Sequence, residues 1–142
     1  MIPLGNKLWI IGGKADNQAI FCYDIAKKLL KEVLPMNSEN YPMPISPILQ
    51  AVSDTEIVII GGYFTTTSNS SSASSINNYI LCLDTKLCYF SVFSKDEVIY
   101  PIISNSSNCT FKNNCIIGMV DMKRQNNKHG PNLPVVFVYD LK

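Results

Sequence analysis

Short apolar runs, separated by polar stretches rich in Asn, Ser, Asp, Gly and Pro, recur along the whole chain. Two are nearly the same string: KLWIIGG at 7–13 and EIVIIGG at 56–62. Runs of this length, rich in Ile, Val, Phe and Tyr and bounded by turn residues, read as β-strands. One stretch departs from this. Residues 25–34 (IAKKLLKEVL) place apolar side chains at 25, 29, 30, 33 and 34, a helical spacing taken alone. Its position in the repeat described next favours a turn followed by a strand.

Three units align along the chain. In the first, KLWIIGG is followed by AIFCYDI (19–25); in the second, EIVIIGG by YILCLDT (79–85); in the third, NCIIGMV (114–120) by VVFVYDL (135–141). The glycine pairs at 12/13 and 61/62 are 49 residues apart, and Gly61 and Gly118 are 57 apart. Asp24 and Asp84 are 60 apart, and Asp84 and Asp140 are 56 apart. A fixed period of this order marks a repeat architecture. Glycine at a strand end permits positive φ and close approach of another backbone. An Asp closing the next strand suits a tight turn, because its carboxylate accepts from local amides.

The pattern resembles the kelch repeat, whose units of about 50 residues form four-stranded propeller blades. Gly12, Gly13, Tyr23 and Asp24 carry the resemblance in the first unit. Gly61, Gly62 and Asp84 carry it in the second, with Leu83 for the tyrosine; Gly118, Tyr139 and Asp140 carry it in the third, with Met119 for the second glycine. Leu30 and Phe90 stand where kelch units carry a Trp, and the one tryptophan, Trp9, lies in another strand. The resemblance implies an all-β fold, a partial kelch-type β-propeller of about three four-stranded antiparallel blades spanning 1–142. The nucleotide-binding alternative fails on sequence. KADNQA follows Gly13, and no third glycine or helical periodicity opens after either pair.

In that register the first blade covers about 5–35 and lacks its inner strand; the second covers about 44–95; the third covers about 101–142 and lacks its outer strand. A propeller needs about four or more blades to close. The expectation is therefore either a portion of a larger propeller or self-association. The long connections, at 35–45, 63–77, 94–101 and 121–133, all fall on one face, where binding on a rigid scaffold concentrates. The tract TTTSNSSSASS (65–75) reads as a flexible, solvated loop with hydroxyls able to accept phosphate. DMKRQNNKHGPNL (121–133) holds Lys123, Arg124, Lys128 and the one histidine, His129. These four, with Tyr63 and Phe64 just beyond Gly62, are the candidate partner-binding residues.

Charge and cysteine content narrow the field. The formal net charge is +1, which provides no long-range field for nucleic acid or an anionic membrane. No apolar run approaches the roughly 20 residues of a membrane helix, and the N-terminus lacks the features of a signal peptide. A cytoplasmic location is expected. Five cysteines, at 22, 82, 88, 109 and 115, lie in apolar runs and read as buried thiols rather than disulfides or metal ligands. The three N-glycosylation sequons, at Asn69, Asn105 and Asn108, read as chance matches. No metal, cofactor or catalytic set is expected. A single histidine supplies neither a His-paired triad nor the two copper-ligand histidines of galactose-oxidase-like kelch enzymes, despite the adjacent Cys22 and Tyr23. The resemblance implies a non-enzymatic protein-interaction module or adaptor. The alternative is the propeller portion of a carbohydrate-active or sugar-binding protein of the galactose-oxidase-like or sialic-acid-processing kind.

Overall fold

The computed structural model describes residues 1–12, 19–41, 43–68, 71–76, 80–94, 109–122 and 133–140. Regular structure there is β-strand, with one short 3-10 turn at Ser38–Asn40. The first sheet holds β1 (Ile2–Leu4), β2 (Lys7–Ile10), β3 (Ile20–Asp24) and β4 (Leu29–Val33), in that order. The second sheet is built from β5 (Ile48–Ala51), β6 (Glu56–Ile60), β9 (Ile80–Asp84) and β10 (Tyr89–Ser94), again in sequential order across the sheet. Between β6 and β9, β7 (Tyr63–Ser68) and β8 (Ser71–Ile76) form a separate two-stranded ribbon. The third sheet holds β11 (Cys109–Lys112), β12 (Cys115–Met122) and β13 (Leu133–Asp140). All these pairings are antiparallel. The fold is all-β, and its four-stranded antiparallel sheets are compatible with a propeller-like arrangement of blades.

The first sheet has one strand more than the sequence pattern assigned to it. Ile2–Leu4 pairs with β2 through a Gly5–Asn6 turn, so this sheet has a fourth strand at the edge next to β2. Three residues containing a proline give no readable period, and Pro3 is tolerated because β1 is at the sheet edge. Residues 25–34 form a turn and β4, not a helix. The turn chemistry repeats between the first two sheets. Asp24 Oδ1 accepts from Lys27 N at 3.0 Å, and Asp84 Oδ1 accepts from Lys86 N and Leu87 N at 2.8 and 2.9 Å. Each turn then closes through a left-handed residue, Lys28 (φ 53) and Cys88 (φ 54). Cys88 thus sits in a turn and not in the strand run expected for it. Each turn also donates to the neighbouring one: Ile25 N to Asn6 O at 3.0 Å, and Thr85 N to Thr55 O at 2.8 Å. In the third sheet, Asn113 and Asn114 both have positive φ (52 and 65) and form the two-residue hairpin turn that suits the strand twist.

The sheets stack in series, and the alternation of side chains shows how. From the first sheet, Ile2, Trp9, Ile11, Ile20 and Cys22 pack against Ile57, Ile59, Leu81, Leu83 and Phe90 of the second. From the opposite face of the second sheet, Ile48, Val58, Ile60, Ile80 and Cys82 pack against Ile116 of the third. Strands β6 and β9 are therefore buried on both faces, which explains their unbroken apolar runs: Ile57 to Ile60 are each 0% exposed. The edge strand β5 lies beside both β1 and β11.

The segment linking the first two sheets passes between their glycine ends. A Cβ on Gly12 would lie 2.8 Å from Pro47 Cδ and 2.9 Å from Pro44 O. A Cβ on Gly62 would lie 2.6 Å from Ile45 O and 2.9 Å from Pro44 Cβ. Both glycines also have positive φ, 79 and 82. The segment is held by an antiparallel bridge: Ile45 N donates to Tyr63 O at 2.8 Å and Tyr63 N to Ile45 O at 3.1 Å. Further along, Asn37 clasps the outer strand. Its Nδ2 donates to Phe90 O at 2.8 Å and its Oδ1 accepts from Phe90 N at 2.9 Å, with Tyr41 packed edge-on to the Phe90 ring.

The third sheet departs from the repeat read in the sequence. Lys7 pairs with Asp24, Glu56 with Asp84 and Cys115 with Asp140. Counting from these pairs, Gly12 and Gly61 correspond to Val120. Gly118 corresponds to Ile10 and Ile59, two positions earlier, and is an ordinary residue within β12 paired to Cys109 and Phe137. The alignment on Gly118 is therefore out of register by two. With no glycine break at this point, β12 and β13 run on to eight residues each, whereas β2 stops at Ile10 and β6 at Ile60.

Gly62→Ala should destabilise the chain by about 3 kcal/mol or more, because left-handed strain and overpacking against Ile45 O combine. Gly5→Ala is the control. It shares positive φ (56) but has nothing within 4 Å of its Cβ position, so it should cost only about 1–2 kcal/mol. Urea unfolding of both variants checks this; equal costs would contradict the close-approach reading.

Candidate functional site

The loop face is built on the ends of β6 and β9. Past Gly61 and Gly62 the two strands continue as the β7–β8 ribbon, in register from Tyr63 opposite Ile76 to Ser68 opposite Ser71. The Ser/Thr tract expected to be a flexible loop is thus largely paired. Three consecutive β-branched threonines favour the extended chain, and the Ile45 bridge at Tyr63 fixes the base of the ribbon. Tyr63 is half-buried at that base, and Phe64 follows on β7 opposite Ser75. Lys123, Arg124, Lys128, His129 and Gly13 lie outside the described residues.

The short turns meet on the opposite face. Two adjoining clefts of 280 and 440 Å³ open between the first and second sheets. Lys7, Trp9, Asp24, Lys27 and Thr85 line both. Lys31 and Glu32 flank one, and Asp54 and Lys86 flank the other, so the walls mix both signs of charge. The Lys27–Asp24 ion pair at 3.8 Å is exposed on the lysine side and contributes little to stability. Beneath the clefts the indole Nε1 of Trp9 is buried without a hydrogen-bond partner. A buried donor of this kind costs about 1–3 kcal/mol when unmatched. Lys27, Asp54 and Lys86 lie in turns, Lys7 and Asp24 at strand ends and Lys31 and Glu32 within β4, so no spacing in the sequence announces that the clefts exist.

Three thiols, Cys22, Cys82 and Cys88, are pushed toward the protonated form. Burial pushes Cys22 up, opposed by the nearby Lys7 and Lys31 and assisted by Asp24. Burial also raises Cys88. Cys82 is pushed up to about 12, first by burial, then by the Glu56 carboxylate, with a smaller contribution from Asp84 and a hydrogen bond from Ser91 acting the other way. A thiol kept protonated by burial is a poor nucleophile. Among the described residues no group of three or more His, Cys, Asp or Glu is placed to hold a metal ion. Among the same residues no helix is long and apolar enough to cross a membrane.

Compared with protein-family models and with curated proteins, the chain matches none. Its geometry is a stack of sheets, a ribbon pinned on one face and mixed-charge clefts on the other.

The raised Cys82 thiol sets an alkaline limit on stability. Below pH 9.0, the ordinary thiol value, Cys82 is protonated in both states and its contribution is complete. Between pH 9.0 and about 12 the unfolded chain ionises while the folded chain does not, so stability falls as pH rises. Cys82→Ala should unfold at lower urea at every pH but lose stability less steeply above pH 9. Parallel slopes for the two proteins would contradict the assignment.

Proposed function

We propose that this chain is a kelch-type propeller scaffold, without catalytic activity of its own, that presents its long-loop face to a protein partner. The observation carrying this reading is the β7–β8 ribbon, which prolongs the central strands of the most buried sheet and is pinned at its base by Ile45. A ribbon fixed at its root keeps its contact residues in one orientation, which lowers the entropy lost on binding. The connection holding Lys123, Arg124, Lys128 and His129 begins after β12, which corresponds to β6 by its pairing with the Asp-bearing strand. On that register the basic loop leaves from the same end as the ribbon, and together with Tyr63 and Phe64 it forms the proposed contact set. A contact set that combines aromatic and basic residues suits an acidic protein surface. Unpaired thiols at Cys22, Cys82, Cys88 and Cys115 suit a reducing compartment, and the cytoplasm is the proposed location.

The test separates loops from scaffold. Replacing Thr65–Ser74 by an Asn-Gly turn shortens the ribbon to its base, and reversing charge at Lys123, Arg124 and Lys128 alters the second loop. Both variants should unfold within about 1 kcal/mol of the parent, since surface changes seldom cost more. Partners captured by the parent and quantified by mass spectrometry should be lost from one variant or both. Recovery of the same partners by both variants would contradict the proposal.

A further inference from the structure

The register that relates the three sheets also relates their faces, and it leaves two matching faces open. In each sheet one face looks forward along the stack and the other backward. The forward positions are Ile20 and Cys22 in the first sheet and Ile80 and Cys82 in the second, each at most 9% exposed because the next sheet covers them. Counting from the Asp pairs, the same positions in the third sheet are Val136 and Val138, which are 65% and 64% exposed. At the other end, the backward positions Leu83 and Phe90 of the second sheet are 0% and 1% exposed. Their counterparts in the first sheet are Tyr23, half-exposed, and Leu30, 54% exposed.

Each open face is thus half of an interface that the chain already forms: a forward face on a backward face. We infer that a second copy of this chain supplies the missing halves, with Val136 and Val138 of one copy packed on Tyr23 and Leu30 of the other. The contact is head-to-tail, so two identical contacts form at once if the stack curves into a ring. Two copies bring six sheets together, inside the range of about four to eight blades at which propellers close. The chemistry favours this occupant. Both faces carry β-branched, leucine and aromatic side chains at strand spacing, and an aligned sheet of the same repeat covers both with the packing already seen twice. The inference rests on the stacked-sheet reading of the fold and not on any partner bound by the loops.

Analytical ultracentrifugation of the 142-residue chain tests it, using two variants at exposed positions that the isolated chain tolerates. Val138→Arg blocks the forward face and Leu30→Arg the backward face; Val136→Lys replaces the first if it fails to fold by circular dichroism. The parent should sediment as a dimer at micromolar concentration. Each variant alone should dissociate at about 100-fold higher concentration, as when a buried apolar anchor becomes charged. Mixing the two should restore a one-to-one complex through the single intact pair of faces. The inference would be overturned by a folded monomeric parent at 100-fold higher concentration (roughly 1.4 kcal/mol per decade), by dimers that survive both substitutions, or by open-ended assemblies in place of a dimer. Dissociation by one substitution and not the other would also overturn it, since that indicates a symmetric contact. The ribbon-shortened variant should dimerise like the parent, so loss of loop-face partners and loss of dimerisation are scored separately.

Discussion

The approach of Pro44 and Pro47 to Gly12 and Gly62 governs the rest of the architecture. Two strands from different sheets end where the same connecting segment must pass, with atoms within 3 Å of where side chains would begin. A residue with a Cβ at either place would push the segment out and separate the sheets. With glycine, the segment stays, Met43 and Ile45 are buried beside it, and Trp9, Ile57 and Phe90 meet across the gap. The same passage starts the ribbon, because Ile45 reaches Tyr63 only when Gly61 and Gly62 turn the chain there. Core packing and the proposed contact face therefore share one backbone constraint.

Among the described residues, the second sheet has the fullest apolar burial. Its central strands are covered on both faces, while the first and third sheets are covered on one. The outer-strand clasp by Asn37 adds two hydrogen bonds that join the first connection to the far edge of that sheet. Such bonds are part-buried, so each contributes on the order of 1 kcal/mol net while fixing direction more than strength. The described end positions Leu30, Val136 and Val138 are exposed apolar side chains where the middle sheet buries its counterparts.

Much of this was legible in the sequence. Two-sided burial shows as unbroken apolar runs in EIVIIGG and YILCLDT, and the Asp at 24 and 84 mark tight turns that the structure closes with their carboxylates. What the sequence hid has physical causes. Ile2–Leu4 is too short, and too interrupted by Pro3, to show a period. Gly118 misled because a glycine within a strand and a glycine ending one look alike until pairing fixes the register. The ribbon was hidden because Ser and Thr are compatible with both loop and strand, and its order comes from the Ile45 bridge, a contact between residues 18 apart in sequence. The clefts at the turn face depend on two distant turns meeting, which no local pattern encodes.

Native-state hydrogen exchange tests the central claim most directly, because it reads the opening free energy of each sheet separately. The account predicts that amides of Ile57–Ile60 and Ile80–Leu83 exchange last and only through global unfolding, with β4 and β13 opening earlier. Protection of β13 equal to that of β6 and β9 at concentrations where the chain is monomeric would contradict it.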